Sequence, residues 1–421
     1  MIRPVLFYFS LERSGCQSIT FIDCHLAHSL SQGRQFCRRQ NDKYGLLIKV
    51  AYKVSKVLIG CLSFNPQMKK KKLPLFIVKW LSYEYWPFWL FFTPLVPWWI
   101  YLAIRARSFT YFTAANPGIE HGGVFGESKI DILKKIDAKY LPKTLFFNKL
   151  TPCENVTQEL KNIQLEFPII VKPNVGERGN EVEKVESVAA LDRYIKRSKE
   201  DFIIQEYVSY DIELGVLYYR FPDSDETGIT SIVVKEFLTV TGDGKSTISE
   251  LMEYDDRARL QLESMTKRLG AGMNEVIPEG EKRNLEPIGN HCRGTKFLSA
   301  MHLLNDQLVE VFDDVASEID GFYFGRFDLK VKSVEDLYKG ENIKILELNG
   351  VTSEPAHIYD PSYSLFRAYK EIAQNMTMMY RVSKANIKQG VKVTPVFEMA
   401  RLIKTHFGRE KNETVNQSMT I

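Results

Sequence analysis

Two short segments, Gly325-Arg-Phe-Asp-Leu-Lys-Val331 and Lys344-Ile-Leu-Glu-Leu-Asn-Gly350, constrain this chain most. Both alternate polar and apolar residues with the period of two that a β-strand imposes. In the first, Phe327, Leu329 and Val331 point one way, and Arg326, Asp328 and Lys330 the other. In the second, alternation puts Leu346 and Leu348 on one face, with Ile345, Glu347 and Asn349 opposite. Side by side, the two strands bring Asp328, Glu347 and Asn349 to one place. Two carboxylates and an amide oxygen, with no Cys or His among them, suit a hard cation such as Mg2+. Arg326, on the face of Asp328, stands where a phosphoryl oxygen would be held. The plainer alternative is a pair of amphipathic strands with a solvated polar face.

The 421 residues, 44% hydrophobic and 26% charged, are enough for two or more lobes with real cores. The net charge of +4 is unevenly spread: residues 1–110 hold 16 Lys/Arg and 4 Asp/Glu (+12), and the remainder 40 and 48 (−8). A basic front suits an anionic partner, and an acidic back suits metal and nucleotide. Cys16, Cys24, Cys37 and Cys61 cluster early, while Cys153 and Cys292 stand apart. There is no CxxC, and Cys24-His25…His28…Cys37 lacks a zinc spacing, so a reducing compartment is expected.

Residues 1–67 read as a poorly ordered basic extension, with Met68-Lys-Lys-Lys-Lys72 as the working start; a small helical domain is the alternative. Segment 68–113 is expected to be membrane-interfacial or helical. Its core, Tyr85 to Ile104, is 20 residues without a charge. At about 1.5 Å per residue that length crosses a bilayer core. Pro87, Pro94 and Pro97 interrupt it, and Trp86, Trp89, Trp98 and Trp99 crowd its ends, where aromatics favour the membrane–water boundary. Lysines and arginines flank both ends. A bent interfacial pair of helices keeps both clusters on one side, whereas a single span exports one of them. A buried helix pair is the soluble alternative.

Further on, Gly126–Ile136 reads as a helix capped by Ser128, with Lys129 in its first turn, where backbone N–H groups favour phosphate. Phe167-Pro-Ile-Ile-Val-Lys172 is a β-branched strand closed by a lysine, followed by a loop containing Gly176 and Gly179 that can fold over phosphates. Asp201–Val208 is another strand, and Leu214–Arg220 with Ile229–Phe237 reads as a hairpin. Val240-Thr-Gly-Asp-Gly-Lys-Ser-Thr247 lacks the first glycine of a P-loop and leads into a helix with a Thr247–Glu250 capping box. In the loop 288–296, Asn290, Arg293 and Lys296 are candidates to reach a phosphate or carboxylate, whereas His291 and Cys292 read as bystanders.

Taken in order, Lys172, the Gly176–Gly179 loop, Gln205-Glu-Tyr-Val208, Glu213, Arg326/Asp328 and Glu347/Asn349 resemble the ATP-grasp superfamily. The resemblance is to its carboxylate–amine ligase branch, typified by D-alanine–D-alanine ligase. Thr241–Ile248 is similar to the matching segment of cyanophycin synthetase and glutathione-synthetase-like ligases. The resemblance covers roughly 114–381 and implies an α+β, ATP-grasp fold: two α+β lobes whose antiparallel sheets grip ATP, here preceded by an aromatic helical segment. Residues 382–421 are then a C-terminal helix, Phe397–Phe407, and a disordered tail.

The resemblance implies that Lys129 and Lys172 meet the ATP phosphates under the Gly176 and Gly179 loop. Gln205, Glu206, Tyr207 and Val208 form the adenine hinge, and Glu213 holds the ribose. Asp328, Glu347 and Asn349 ligate Mg2+, two ions in all, while Arg326 and Lys172 serve catalysis; Arg293, from the 288–296 loop, is expected to join them there. Val351–Pro361 departs from the tail by which D-alanine–D-alanine ligases hold their second substrate, and the aromatic front is unlike the family's usual leading lobe. The implied activity is ATP- and Mg-dependent ligation: a carboxylate activated as an acyl phosphate and attacked by an amine. A kinase on the same scaffold, or a non-catalytic membrane-binding protein, are the alternatives. Partners are expected to be small-molecule or peptide substrates and an anionic membrane surface, not nucleic acid. The expected location is the cytoplasm, peripheral on the inner face of the membrane.

Overall fold

The computed structural model describes residues 73–176, 179 and 181–406, and of Cys292 only the backbone. The expected extension 1–67, its four cysteines, Met68–Lys72 and the tail from 407 lie outside the described residues.

Four β-rich segments, β1 (Thr144–Phe147), β2 (Ile169–Pro173), β3 (Glu183–Val185) and β4 (Phe202–Glu206), form an antiparallel sheet in the order β1-β4-β2-β3. Its period-two pattern sends Ile169, Val171, Phe202 and Ile204 into a core with Val156, Leu160, Leu191 and Tyr194 of the helices Cys153–Asn162 and Val188–Arg197. The same alternation turns Ile170, Lys172 and Gln205 the other way, toward a cavity.

The expected hairpin is β5 (Ile212–Arg220) and β6 (Thr227–Glu236). A separate two-stranded ribbon follows, β7 (Thr239–Thr241) with β8 (Lys282–Asn284), and between them lies the helix Ile248–Met252 with its Thr247–Glu250 capping box. Strands β9 (Lys296–Ser299), β10 (Phe324–Val331) and β11 (Ile343–Asn349) complete a five-stranded antiparallel sheet, β11-β10-β5-β6-β9. Its back buries Val216, Ile232, Phe327, Leu329 and Val331 against Leu308, Phe312 and Val315 of the helix Asp306–Ser317. The fold is therefore α+β, with two antiparallel sheets in separate helix-backed layers.

Strand β11 departs from simple alternation. Asp328 pairs with Glu347 and Leu329 with Ile345, so Leu346 is an extra residue in the ladder. This β-bulge puts Ile345 in the core with Leu348, not on the face of Glu347 and Asn349 as strict alternation expects. Leu346 lines the cavity instead.

The uncharged front is broken at its prolines. Helix Phe88–Phe92 follows Pro87, a short 3-10 turn spans Thr93–Leu95, and helix Val96–Ala106 follows. Pro94 and Pro97 sit in first turns, where a missing N–H is tolerated. One side of this front docks on the body. Phe91 and Leu95 pack with Ile358, Ala368 and Ile372, and Leu102 and Ala103 with Tyr111 and Tyr380. By length and composition alone, Phe88–Ala106 is long and apolar enough to cross a membrane. Its undocked side carries Trp89 and Ile104, 69% and 66% exposed.

Helix Leu365–Lys388 runs through the expected boundary at 381/382 and supplies the docking partner for the front. The expected helix over 126–136 is confined to Lys129–Leu133, with the Ser128 hydroxyl accepting from the Asp131 N–H.

Candidate active site

The two sheets face each other across a cavity of about 880 Å3. From the four-stranded side, β2 projects Lys172, which is 7% exposed. Its ammonium donates to Gln205 Oε1 at 3.1 Å and crosses to the backbone oxygen of Leu346, the bulged residue, at 3.0 Å. Lys129 donates to the Gly176 carbonyl and lies 3.8 Å from Glu347 Oε1. Gly176, Gly179, Glu206, Tyr207 and Val208 also line the cavity. Gly179 has φ +70°, and a Cβ there would lie 3.1 Å from Asn290 Nδ2, so Gly179 itself sits close against that side chain.

The five-stranded sheet supplies the other wall in transverse rows. Asp328 stands between Gly215 on β5 and Glu347 on β11, and Arg326 lies opposite Asn349. Arg326 donates to both carboxylate oxygens of Asp328, at 3.1 and 2.9 Å, and the Asn349 amide donates to Asp328 Oδ2 at 2.9 Å. Lys235 on β6 lies 3.0 Å from Glu213 Oε1 and 3.3 Å from Asp328 Oδ1. Gly215 makes room for this cluster. A Cβ there would meet Asp328 Oδ1 at 3.2 Å and Arg326 Cδ at 3.3 Å. Gly289 does the same for Glu213, whose Oε1 would lie 2.3 Å from an added Cβ.

Charge decides the protonation states. Burial alone would raise the Asp328 carboxyl, but Arg326 and Lys235 outweigh it and hold it down at about 2. Burial pulls Lys235 down, and Asp328 with Glu213 more than restores it, so it is a firm cation. Lys172 differs. Burial dominates, and Glu347 only partly offsets it against the repulsion of Lys129, so its ammonium falls to about 8. Lys330, also lowered by burial, donates to the Val208 carbonyl at 3.1 Å and ties the segment after β4 to β10.

Lys129, Lys172, Gly176, Gly179, Gln205, Glu206, Tyr207, Val208, Glu213, Arg326, Asp328, Glu347 and Asn349 all line the one cavity. Arg293, expected at the chemistry, does not. Its guanidinium reaches the Val182 carbonyl at 3.3 Å and the buried Glu286 at 3.5 Å, which hold it in the loop's own packing. Lys296 likewise pairs with Glu236 at 3.3 Å. His291, set aside as a bystander, lines the cavity, with Nε2 3.0 Å from Glu84 of the aromatic front. Lys235 and Gly215 were not anticipated. Yet Val233-Val234-Lys235 repeats the signal that drew attention to Lys172, a lysine closing a β-branched strand.

Among the described residues no group of three His, Cys, Asp or Glu side chains is placed to hold a metal ion. The donors here are two carboxylates, Asp328 and Glu347, directly opposed across β10 and β11, with Asn349 beside them. Glu347 is open to the cavity, its side chain 37% exposed. An all-oxygen set of this kind fits Mg2+ with water and phosphate completing its shell.

No protein-family model matches the chain, and no curated protein matches it. Among solved structures it is similar to the VanG D-Ala:D-Ser ligase from Enterococcus faecalis, at 14% identity and TM-score 0.35, covering 61% of each chain. It is also similar to the D-alanine–D-alanine ligase from Bacillus anthracis, at 14% identity and TM-score 0.35, covering 62% of this chain and 69% of that one. A bifunctional glutathione synthetase from Pasteurella multocida matches at 13% identity and TM-score 0.32, over 60% of this chain and 35% of that one. All three are ATP-grasp carboxylate–amine ligases. The likeness covers part of each fold and assigns no role to any residue here.

Proposed function

We propose that this protein is an ATP- and Mg-dependent ligase that joins a carboxylate to an amine. The observation that carries the reading is the facing of unlike charges across the cavity. Asp328, Glu347 and Asn349 lie on one wall with Arg326 and Lys235, Lys172 reaches in from the other, and Lys129 stands 3.8 Å from Glu347. A site for a triphosphate needs several fixed cations, and a site for its metal needs carboxylates within reach of them.

A carboxylate is inert toward amines at neutral pH and must be activated. In the proposed reaction its oxygen attacks the γ-phosphorus, the bond to the β-bridging oxygen breaks, and ADP departs. An amine nitrogen then attacks the carbonyl carbon, the carbon–oxygen bond to phosphate breaks, and the nitrogen's proton goes to solvent. Mg2+, held by Asp328, Glu347 and Asn349, would neutralise charge on the phosphates. Lys172 and Lys129 orient the β- and γ-phosphates, Glu213 orients the ribose, and Gln205 to Val208 frame the adenine. Arg326, fixed by its two bonds to Asp328, stabilises charge on the moving phosphoryl group. We place the enzyme on the cytoplasmic face of the membrane, with the exposed aromatic side of 88–106 toward the lipid.

A screen of ADP release over amino acids, peptides and small carboxylates, each with and without an amine acceptor, tests the reaction. Stoichiometric free phosphate with ADP, dependent on both acceptors, is expected. A phosphorylated product that accumulates without an amine requirement means a kinase, and absence of Mg-dependent nucleotide binding refutes any enzyme reading.

A further inference from the structure

The cavity does not end at the charged cluster. Its lining also takes in the helix Leu365–Lys388, where Ile372, Met376 and Met379, with Asn375 among them, line it at the three- and four-residue spacing of one helical face. From the front, Phe92 and Phe88 line it too, their rings stacked with centroids 4.4 Å apart. Phe88 is 69% exposed, so this apolar lining emerges at the molecular surface. Trp89, the next residue, is exposed to the same degree.

A small polar amino acid at Arg326 would leave that lining wet, and apolar surface in water is unfavourable by about 25 cal/mol per Å2. Thioethers and phenyl rings suit a flexible hydrocarbon, because methionine repacks around irregular shapes. Resting on the ligase reading above, we infer that the carboxylate substrate is an amphiphile. Its acid head lies within reach of Arg326, and its hydrocarbon chain runs along Met379, Met376 and Phe92 toward Phe88 at the surface.

The test uses the full chain with straight-chain carboxylic acids from acetate to decanoate, kept below their aggregation limits. Binding is measured by calorimetry in the presence of Mg2+ and a non-hydrolysable ATP analogue. Turnover is measured as hydroxamate, with hydroxylamine as the trapping amine. Affinity is expected to rise by roughly fourfold per added methylene, the ratio that about 0.8 kcal/mol per buried CH2 corresponds to. Met376→Glu and, separately, Phe92→Glu are expected to flatten that slope; each is judged only if it still melts cooperatively.

Affinity that does not change with chain length in the wild type, or a slope that survives both substitutions, overturns the inference. So does failure of every acid to bind. Hydroxamate from short acids without chain-length dependence removes the tail site and leaves the ligase. Chain-dependent binding with no hydroxamate keeps the tail site and removes the ligase.

Discussion

The two ends of the cavity are built on opposite principles. At the inner end the wall is rich in charged groups, each held by a fixed partner: Asp328 by Arg326 and Lys235, Lys172 by the Gln205 side chain and the Leu346 carbonyl, Lys330 by the Val208 carbonyl. At the outer end Phe88, Phe92, Met376 and Met379 offer hydrocarbon, sulfur and ring faces, with Glu84 and Asn375 as the polar groups on the same two segments. Charges must be fixed in advance to act on a charge that appears during reaction, so the inner end sits on adjacent strands, where spacing is rigid. An apolar wall needs no such precision, and here it is shared by helices far apart in sequence.

The sharpest way to break this contrast is to remove the carboxylates proposed to hold the metal. Asp328→Ala and Glu347→Ala are expected to lower substrate-dependent ADP release by about 100- to 1000-fold, the usual cost of losing a group that stabilises developing charge. Glu347, open to the cavity, should lose turnover with its melting temperature nearly unchanged. Near-wild-type turnover in either variant ends the assignment. Lys235→Met comes next. It leaves Glu213 and Asp328 facing each other without the cation between them, and breaking a buried pair in this way costs about 3–5 kcal/mol. Denaturant unfolding should register the loss; a variant as stable as wild type means the lysine is not the link between those carboxylates.

Lys172 should make nucleotide binding sensitive to pH. Burial brings its ammonium down to about 8, and on the proposed reading the form that holds phosphate is the protonated one. Affinity for Mg·ATP is therefore expected to hold steady below that value and to weaken above it, by at most about tenfold per pH unit. Stability moves the other way. The unfolded chain keeps its proton up to the ordinary lysine range, so the folded form gains from each step of rising pH above 8. Lys172→Arg should abolish the alkaline fall in affinity, since guanidinium stays charged. A calorimetric titration from pH 6.5 to 9.5 separates the cases, and an unchanged fall in the arginine variant points to another group.

Most of the inner end was readable in the sequence because its signals are local. Alternation on β10 and β11, the lysine closing β2, the β5–β6 hairpin and the caps at Ser128 and Thr247 each depend on residues a few positions apart. What escaped depends on distant partners. The β11 bulge arises from pairing with β10, and no pattern within 343–349 reveals which residue is the extra one. Lys235 looks like an ordinary strand lysine until Glu213 and Asp328 are brought beside it. Arg293 carries the same charge as its expected role requires, but a buried Glu286 claims it. At the outer end, the apolar front reads equally well as a membrane segment or a packed helix. The structure docks one side of it on Ile358, Ile372 and Tyr380, long-range contacts with no local signature.

The smallest expected effect tests whether the two ends are separable. Glu84, in the front, accepts from Arg257 at 2.7 and 2.6 Å and lies 3.0 Å from His291 Nε2. Burial would raise its carboxyl, but His291 and Arg257 bring it down to about 2. Its contribution to stability is thus present above the ordinary carboxylate range and fades as pH falls toward 2. Glu84→Gln keeps the shape and part of the hydrogen bonding but removes the charge, at a cost of about 2 kcal/mol near neutrality. That deficit should shrink between pH 4.5 and 2. If the front is fastened independently of the nucleotide end, the rise in melting temperature on adding Mg·ATP will match the wild type. If that rise disappears with Glu84, the two ends form one cooperative unit, and the division argued from their chemistry fails.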